Sequence, residues 1–356
     1  MDLAQLSLRR YAGSGLLALH FTPEELFFGF GQRRGRVYRV SALDSIDIRP
    51  FVLEGGEYDV LALSQAIQQA LKDHHIRVRR AAVSFPVKFP WIRVLDVPNV
   101  SEKDLARIVR LEVERLYLDS TVEKLIDYFP LEPTRDRSAG GTTAVLSVAI
   151  PRNSVAPYVE VATASKLELV GIDLAEVNVL KLAAMQGVDF GEGITLILNL
   201  NMESTDLMLM EDNKLQIVRK VGQGKQHLRQ VLDRNLPADS SLRRDLARVD
   251  FTLPSEHVRL AADYVHALLG EIRRSIEFYL TEIKRAEGSV SKVILAGSGY
   301  WPTNLPEILA LQLHLPLIDL SMERMPMLEC HSTHGPGFPL LGVFAPVVGG
   351  VLRGVA

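Results

Sequence analysis

TLILNLNMESTDLMLMEDNKLQIVRKV, residues 195–221, decides the fold. It divides into three short apolar runs, TLILNL (195–200), DLMLM (206–210) and LQIVRKV (215–221). NMES and EDNK separate them, and Asn, Asp and Ser sit where a hairpin reverses. β-branched and long apolar side chains fill the runs, so the stretch predicts a β-meander. A second set stands near the N-terminus: LLALHF (16–21), LFFGF (26–30) and RVYRVSALDSI (36–46), separated by TPEE and GQRRG. Two meanders of matching spacing, each running into helix, predict a duplicated unit.

Outward from each meander the pattern alternates. After the first come an amphipathic helix over 61–75 and a strand over 77–86. After the second come a helix over Gln226–Leu236 and a long helix from Ser255 to about Glu287. In the long one Val258, Ala261, Ala262, Val265, Leu268, Leu269, Ile272 and Ile276 form a single apolar stripe. The strand KVILAGSG (292–299) and the helix NLPEILALQLH (304–314) follow. This order predicts α/β architecture with helices packed on sheets.

Between the two units, residues 88–168 read as strand, helix, strand, strand, helix, with a loop rich in Gly, Ser and charge over 133–141. Ser101 and Asp104 suit the start of the first of these helices. The block predicts a small inserted α+β subdomain that serves contacts. LELVGIDLAEVNVLKLAAM (167–185) then reads as a strand running into a helix. The domain expectation is therefore 1–87 with 336–356 as the first half and 88–168 as the insert. The second half is 169–335, with its own subdomain around 222–270.

Composition narrows the function. With 47% hydrophobic and 23% charged residues the 356-residue chain is globular over most of its length. A net charge of −3 gives no basic footprint for nucleic acid. The single cysteine, Cys330, excludes an internal disulfide framework and suits a reducing compartment. The start, MDLAQLSLRRYAGSG, lacks the pattern of a secretory signal. FPLLGVFAPVVGGVLRGV (338–355) barely reaches the ~18 apolar residues of a membrane span and is broken by Pro339 and Pro346, so a buried terminal helix is expected.

Other chemistry-bearing groups read as structural. Cys330, His331 and His334 crowd into one loop without the second cluster that a zinc site draws on, so no metal site is assigned. His74 and His75 close a helix, where the dipole favours them. The basic runs 33–39 and 77–80 are solvated faces, with attraction to an anionic membrane surface as the functional alternative.

The stretch 85–131, with its Glu112-x-Glu114 pair, resembles the PilM family, as do LVGIDLAEVNVLKLAAM, RKVGQGKQHLRQVL, LLGEIRRSIEFYLTE, KVILAGSGYWPTNLPEILALQLHLPL and FAPVVGGVLRGVA, in order and spacing from about residue 16 to the end. These are cytoplasmic, FtsA-related proteins of the type IV pilus assembly platform. The resemblance implies a duplicated RNase H-like (actin/FtsA-like) fold with two halves facing a nucleotide cleft. It also implies a place at the inner face of the inner membrane, held there through partners. The partners are the N-terminal cytoplasmic tail of a PilN-like inner-membrane protein, docked in an apolar groove between the first unit and the insert, and the pilus motor ATPases. Homo-oligomers stay open.

Laid on the family's phosphate loops, Ala18, His20 and Thr22 take the positions of Gly-x-Asp-x-Gly, and Asn199-Leu200-Asn201 those of Asp-x-Gly. Ser204, Thr205 and Asp206 supply polar groups beside the second turn, and Gly297, Ser298 and Gly299 the turn that would face adenosine. Without the two aspartates, Mg²⁺ loses its obvious ligands. The expectation is a degenerate cleft with no catalytic residue, in a scaffold rather than an enzyme. Glu112 and Glu114, two apart on a helix, cannot share a face as a catalytic pair, and one of them is assigned to partner contact. The alternatives are an ATPase that uses ATP with Mg²⁺ to gate its partner, and a GspL-like component of type II secretion.

Overall fold

The computed structural model describes residues 15–34, 37–87, 91–117, 122–131, 141–191, 193–237, 240, 246–251, 256–284, 287–299, 301–320, 328–330 and 340–353. His331, His334, Ser255 and most of the 133–141 loop lie outside these residues.

The first meander forms β1 (Leu16–Phe21), β2 (Glu25–Arg34) and β3 (Val37–Asp47), followed by α1 (Val60–Asp73) and β4 (Arg80–Ser84). Next come β5 (Trp91–Pro98), α2 (Glu102–Leu116), β6 (Lys124–Pro130), β7 (Thr142–Pro151), α3 (Ala156–Ala164), β8 (Glu168–Asp173) and α4 (Ala175–Met185). The second meander is β9 (Ile194–Leu200), β10 (Thr205–Glu211) and β11 (Lys214–Val221). It leads into α5 (Lys225–Asn235), α6 (Glu256–Phe278), β12 (Val290–Gly297), α7 (Leu305–Leu313) and β13 (Leu317–Ile318). The described chain closes with β14 (Leu328–Cys330), α8 (Leu340–Val343) and α9 (Ala345–Val351).

These strands build a six-stranded sheet, β14-β3-β2-β1-β4-β8, and a five-stranded sheet, β11-β10-β9-β12-β13. The insert holds a third sheet, β5-β7-β6. In each large sheet the first strand of the meander is central, antiparallel to its hairpin partner and parallel to the strand after the helix. Such a strand is covered on both faces, which is why LLALHF and ITLILNL are buried throughout.

Period two sorts the side chains between layers. Leu17, Leu19 and Phe21 of β1 pack outward with Leu63 and Ile67 of α1 and Val161 of α3. Leu196, Leu198 and Leu200 of β9 pack outward with Leu228 of α5, Leu268 of α6 and Leu309 of α7. The inner faces share one core, in which Ala18 and Phe27 meet Ile197, Met208 and Ile294 through α4 and α9. These two helices thus lie between the sheets.

The structure differs from the expected domain division at the 88–168 insert and at the 222–270 subdomain. β8 pairs with β4 in the first sheet, so the first half runs beyond residue 168. Helix α3 packs its Val161 and Ala162 beneath that sheet and is no part of the insert. The insert proper is the β5-β7-β6 sheet under α2, with a small core of Leu105, Val109, Val113, Val97, Val145 and Ala149. No separate subdomain appears around 222–270 among the described residues, because α5 and α6 share the core of the second sheet. The terminal helix α9 packs with the first half, its Tyr38 contact being a hydroxyl donating to Val351 O at 2.7 Å. At the end of α6 the α-helical period breaks into a π turn over Tyr279–Lys284, where the Tyr279 hydroxyl donates to Glu211 Oε2 at 2.6 Å.

Candidate functional site

The alternation that sends leucines outward sends polar residues inward at the carboxyl ends of the parallel strands, where open α/β sheets bind ligands. In the first sheet His20 of β1 stands in register with Ser84 of β4, and Ser84 with Asp173 of β8. In the second, Asn199 of β9 is opposite Asp206 of β10, and Asp206 opposite Lys220 of β11. The two polar rows meet across the space between the halves.

They are joined by a directional chain of hydrogen bonds. Ser298 Oγ donates to Asn201 Oδ1 at 3.0 Å, so its lone pairs are free to accept from His20 Nε2 at 2.6 Å. His20 Nδ1 then accepts from the Ser84 hydroxyl at 2.8 Å. Asn201 Nδ2 and Asn199 Nδ2 both donate to Asp206 Oδ2, at 2.7 and 2.9 Å. Lys220 Nζ makes an ionic contact with Asp206 Oδ1 at 2.6 Å and lies 3.7 Å from Glu176 Oε1 at the start of α4. Its third neighbour is Ser204 Oγ at 3.5 Å.

The electrostatics follow from burial. His20 is 2% exposed. Burial, with Lys225 adding to it, lowers its imidazole to about 3, so the ring is neutral and needs one donor and one acceptor role. Burial raises the Glu176 carboxyl to about 7, the Asp206 charge adding to the rise and Lys220 opposing it. Burial also works against the charge on Lys220, but Asp206 and Glu176 outweigh it and hold that ammonium above its ordinary value. Lys225, at the first position of α5, is pulled down to about 7 by burial, with Glu25 opposing. Its Nζ donates to Ser298 O at 2.5 Å and Gly299 O at 3.2 Å.

The turns themselves are closed. Thr22 Oγ1 donates to Glu25 O at 2.8 Å and accepts from Glu25 N–H at 3.0 Å, folding the first loop on itself. In the second loop Asn201 O and Met202 O accept from Lys225 N–H and Gln226 N–H, at 3.0 and 2.8 Å. The N-terminus of α5 is therefore spent on the turn and not offered to an anion. Gly224 permits this approach, since a Cβ there would stand 2.3 Å from Met202 O. Gly297 is needed for a similar reason, 2.4 Å from Leu200 O, and Gly299 has φ +77°. A cavity of ≈ 20 Å³ beside them is lined by His20, Thr22, Glu176, Asn201, Ser204 and Lys220 among others. That is room for about one water.

Of the residues marked in the sequence, His20, Asn199, Asn201, Asp206 and Ser298 come together in one network, with Ser204 at its edge. Thr22, Gly297 and Gly299 shape the adjoining turns. Thr205 does not join: its hydroxyl donates to Gln223 O at 2.6 Å on the far side of the strand. Sequence reading missed Ser84, Glu176, Lys220 and Lys225. Even counting along the β10–β11 hairpin would set Arg219 opposite Asp206, and the bulge between Leu209 and Met210 brings Lys220 there. Glu176 and Lys225 had no signal short of the tertiary fold. The donor set does not suit Mg²⁺ as it stands, since both carboxylates of the site face an internal ammonium. Among the described residues no group of three or more His, Cys, Asp or Glu could hold a metal ion.

The inner side of the insert's sheet is buried in the shared cores through Ile92, Leu146 and Ile150. A groove of ≈ 350 Å³ lies within the insert, between α2 and the edge strand β6, lined by Ala106, Arg107, Arg110, Ile126, Asp127 and Tyr128. Glu112 is not among its walls and pairs with Arg115 at 2.6 Å. Glu114, one face away on α2, is exposed. Among the described residues no helix is long and apolar enough to cross a membrane.

Comparison with known proteins agrees with this architecture. The family model for type IV pilus assembly protein PilM matches residues 30–325. No curated protein matches the chain in sequence. A solved PilM–PilN type IV pilus biogenesis complex contains a chain that superposes with a TM-score of 0.78 at 22% identity, over 96% of this chain and 98% of that one. The ethanolamine utilization protein EutJ from Carboxydothermus hydrogenoformans gives 0.54 at 13% identity, over 99% and 95%. The two sheets, their matching meanders and the helices between them are the actin-like fold, and the chain belongs to the family of the type IV pilus assembly protein PilM.

Proposed function

We propose that this protein is a scaffold of type IV pilus assembly whose cleft is closed by its own side chains and does not hydrolyse nucleotide. In this reading it lies at the cytoplasmic face of the inner membrane, receives the N-terminal tail of a PilN-like membrane protein and links it to the motor ATPases. The observation that carries the reading is the chain from Ser84 through His20, Ser298, Asn201 and Asp206 to Lys220, which occupies the space between the phosphate turns. Family membership and the likeness to the PilM of a PilM–PilN complex support the partner. The groove between α2 and β6 is the docking place we assign to the tail, with Ile126 and Tyr128 as its apolar contacts.

Two titrations test it. Calorimetry with ATP and Mg²⁺ is expected to give no heat at millimolar nucleotide, whereas saturable micromolar binding with phosphate release would favour the gated ATPase. Fluorescence anisotropy with a labelled PilN-like tail peptide is expected to saturate without nucleotide. The double variant Arg107→Ala/Arg110→Ala trims exposed walls of the groove without touching the core of the insert. It is expected to weaken the tail at least about tenfold. Unchanged affinity would move the tail elsewhere.

A further inference from the structure

Lys220 stands where an oxygen-rich site closes on a cation. Around its Nζ are Asp206 Oδ1 at 2.6 Å, Ser204 Oγ at 3.5 Å and Glu176 Oε1 at 3.7 Å. Asn199 lies in the same row, its amide nitrogen on Asp206 Oδ2 and its Oδ1 buried without a hydrogen-bond partner. Carboxylate, hydroxyl and amide oxygens are the donors that hard divalent ions take. The Asp206 carboxylate, its side chain 1% exposed, cannot be left there without a counter-charge, and the Glu176 carboxyl, 7% exposed, is buried beside the same ammonium. The lysine comes from β11 in the second half, and Glu176 from α4, which follows β8 of the first sheet.

We propose that Lys220 is a tethered counter-ion that takes the place of a divalent metal, clamping α4 to the second sheet so that the two halves close without any ligand. Geometry fixes the role: the ammonium is held in register by the β10–β11 hairpin, opposite Asp206, and reaches across to Glu176. A free metal ion could not share the space, because the ammonium already fills it with like charge. Other contacts close the same gap nearby. Arg229 of α5 pairs with Glu24 in the β1–β2 turn, and His20 with Ser298. The clamp therefore belongs to a seam, and its metal-like part is Lys220.

The inference rests on the cleft being without a working nucleotide site, and its test separates the two. Lys220→Met keeps the unbranched apolar stem, one atom shorter, and removes the charge. Titrated with Mn²⁺ and followed by electron paramagnetic resonance, it is expected to bind about one ion, and millimolar Mn²⁺ or Mg²⁺ is expected to restore part of a lowered Tm. Potassium chloride at matched ionic strength is expected not to. Lys220→Arg is expected to behave as wild type, indifferent to both metals, and adding Glu176→Gln to Lys220→Met is expected to abolish the Mn²⁺ signal. A folded Lys220→Met that takes no Mn²⁺ overturns the proposal. So does wild-type protein that binds Mn²⁺ saturably and loses it on Glu176→Gln, a measurement that holds even where Lys220→Met does not fold. ATP with Mg²⁺ and the tail peptide are titrated on the same wild-type samples. Nucleotide binding there sinks the degenerate cleft, while its absence with an inert Lys220→Met sinks the clamp alone.

Discussion

His20 is the residue on which the cleft turns. It sits where the family pattern expects an aspartate, and its ring bonds β4 on one side and the second half on the other. His20→Ala removes both bonds and leaves buried hydroxyls and a void, at a cost of about 2–4 kcal/mol by chemical denaturation. The pH dependence has a definite sign. The imidazole is lowered from 6.5 to about 3, so between those values the unfolded chain binds the extra proton and stability is lost as pH falls. Relative to His20→Gln, wild type is expected to lose on the order of 1 kcal/mol per pH unit across that window. Glu176 acts the other way: raised from 4.5 to about 7, it favours the fold below that window and loses its contribution as pH rises through it. The stability of Glu176→Gln relative to wild type is therefore expected to rise as pH goes from 4.5 to 7, read from urea midpoints. A fall over that range would contradict the burial argument.

At the scale of elements, the second hairpin turn and α5 act as one part. Two of the helix's first N–H groups end on carbonyls of the turn, and Gly224 lets the backbones touch. Gly224→Ala puts a methyl 2.3 Å from Met202 O, so the helix must shift. The expected loss is about 2–3 kcal/mol, with faster amide exchange at Lys225 and Gln226 than in the rest of α5. Exchange that is unchanged at those two amides would mean the turn follows the helix. Strands and helices were legible in the sequence to within a few residues: the six meander strands, α1, α5, α7 and β12 all lie where periodicity set them. The end of α6 was not, because a π turn keeps the apolar stripe while its register is set by Glu211 on β10.

At the scale of the molecule, the inner core draws residues from both sheets, the insert, α4 and α9. A core shared in this way has no interior boundary at which half the chain can melt. Calorimetry is expected to show one unfolding transition. The pair His20→Ala/Arg229→Ala cuts two of the contacts that cross the cleft and is expected to raise amide exchange in the β1–β2 and β9–β10 turns while the outer helices stay protected. Two transitions in the wild-type protein would mean that the halves hold together less tightly than their common core implies.

Period-two and period-3.6 patterns act over a few residues, so the sequence by itself determined the two meanders and their helices. Through its family resemblance it also marked His20, Asn199 and Asp206 and showed the expected aspartates and loop glycines to be missing. What stands in their place was decided only by the tertiary structure. His20 and Ser298 are 278 positions apart, and Arg353, near the C-terminus, pairs with Asp173. Membership of β8 and α3 in the first half depends on which strand edge and which helix face remained uncovered, a property of the assembled sheet. Lys220 and Glu176 meet for the same reason: each is an ordinary polar residue on its own element, and only the packing of α4 against the second sheet brings the Lys220 ammonium within 3.7 Å of the Glu176 carboxyl.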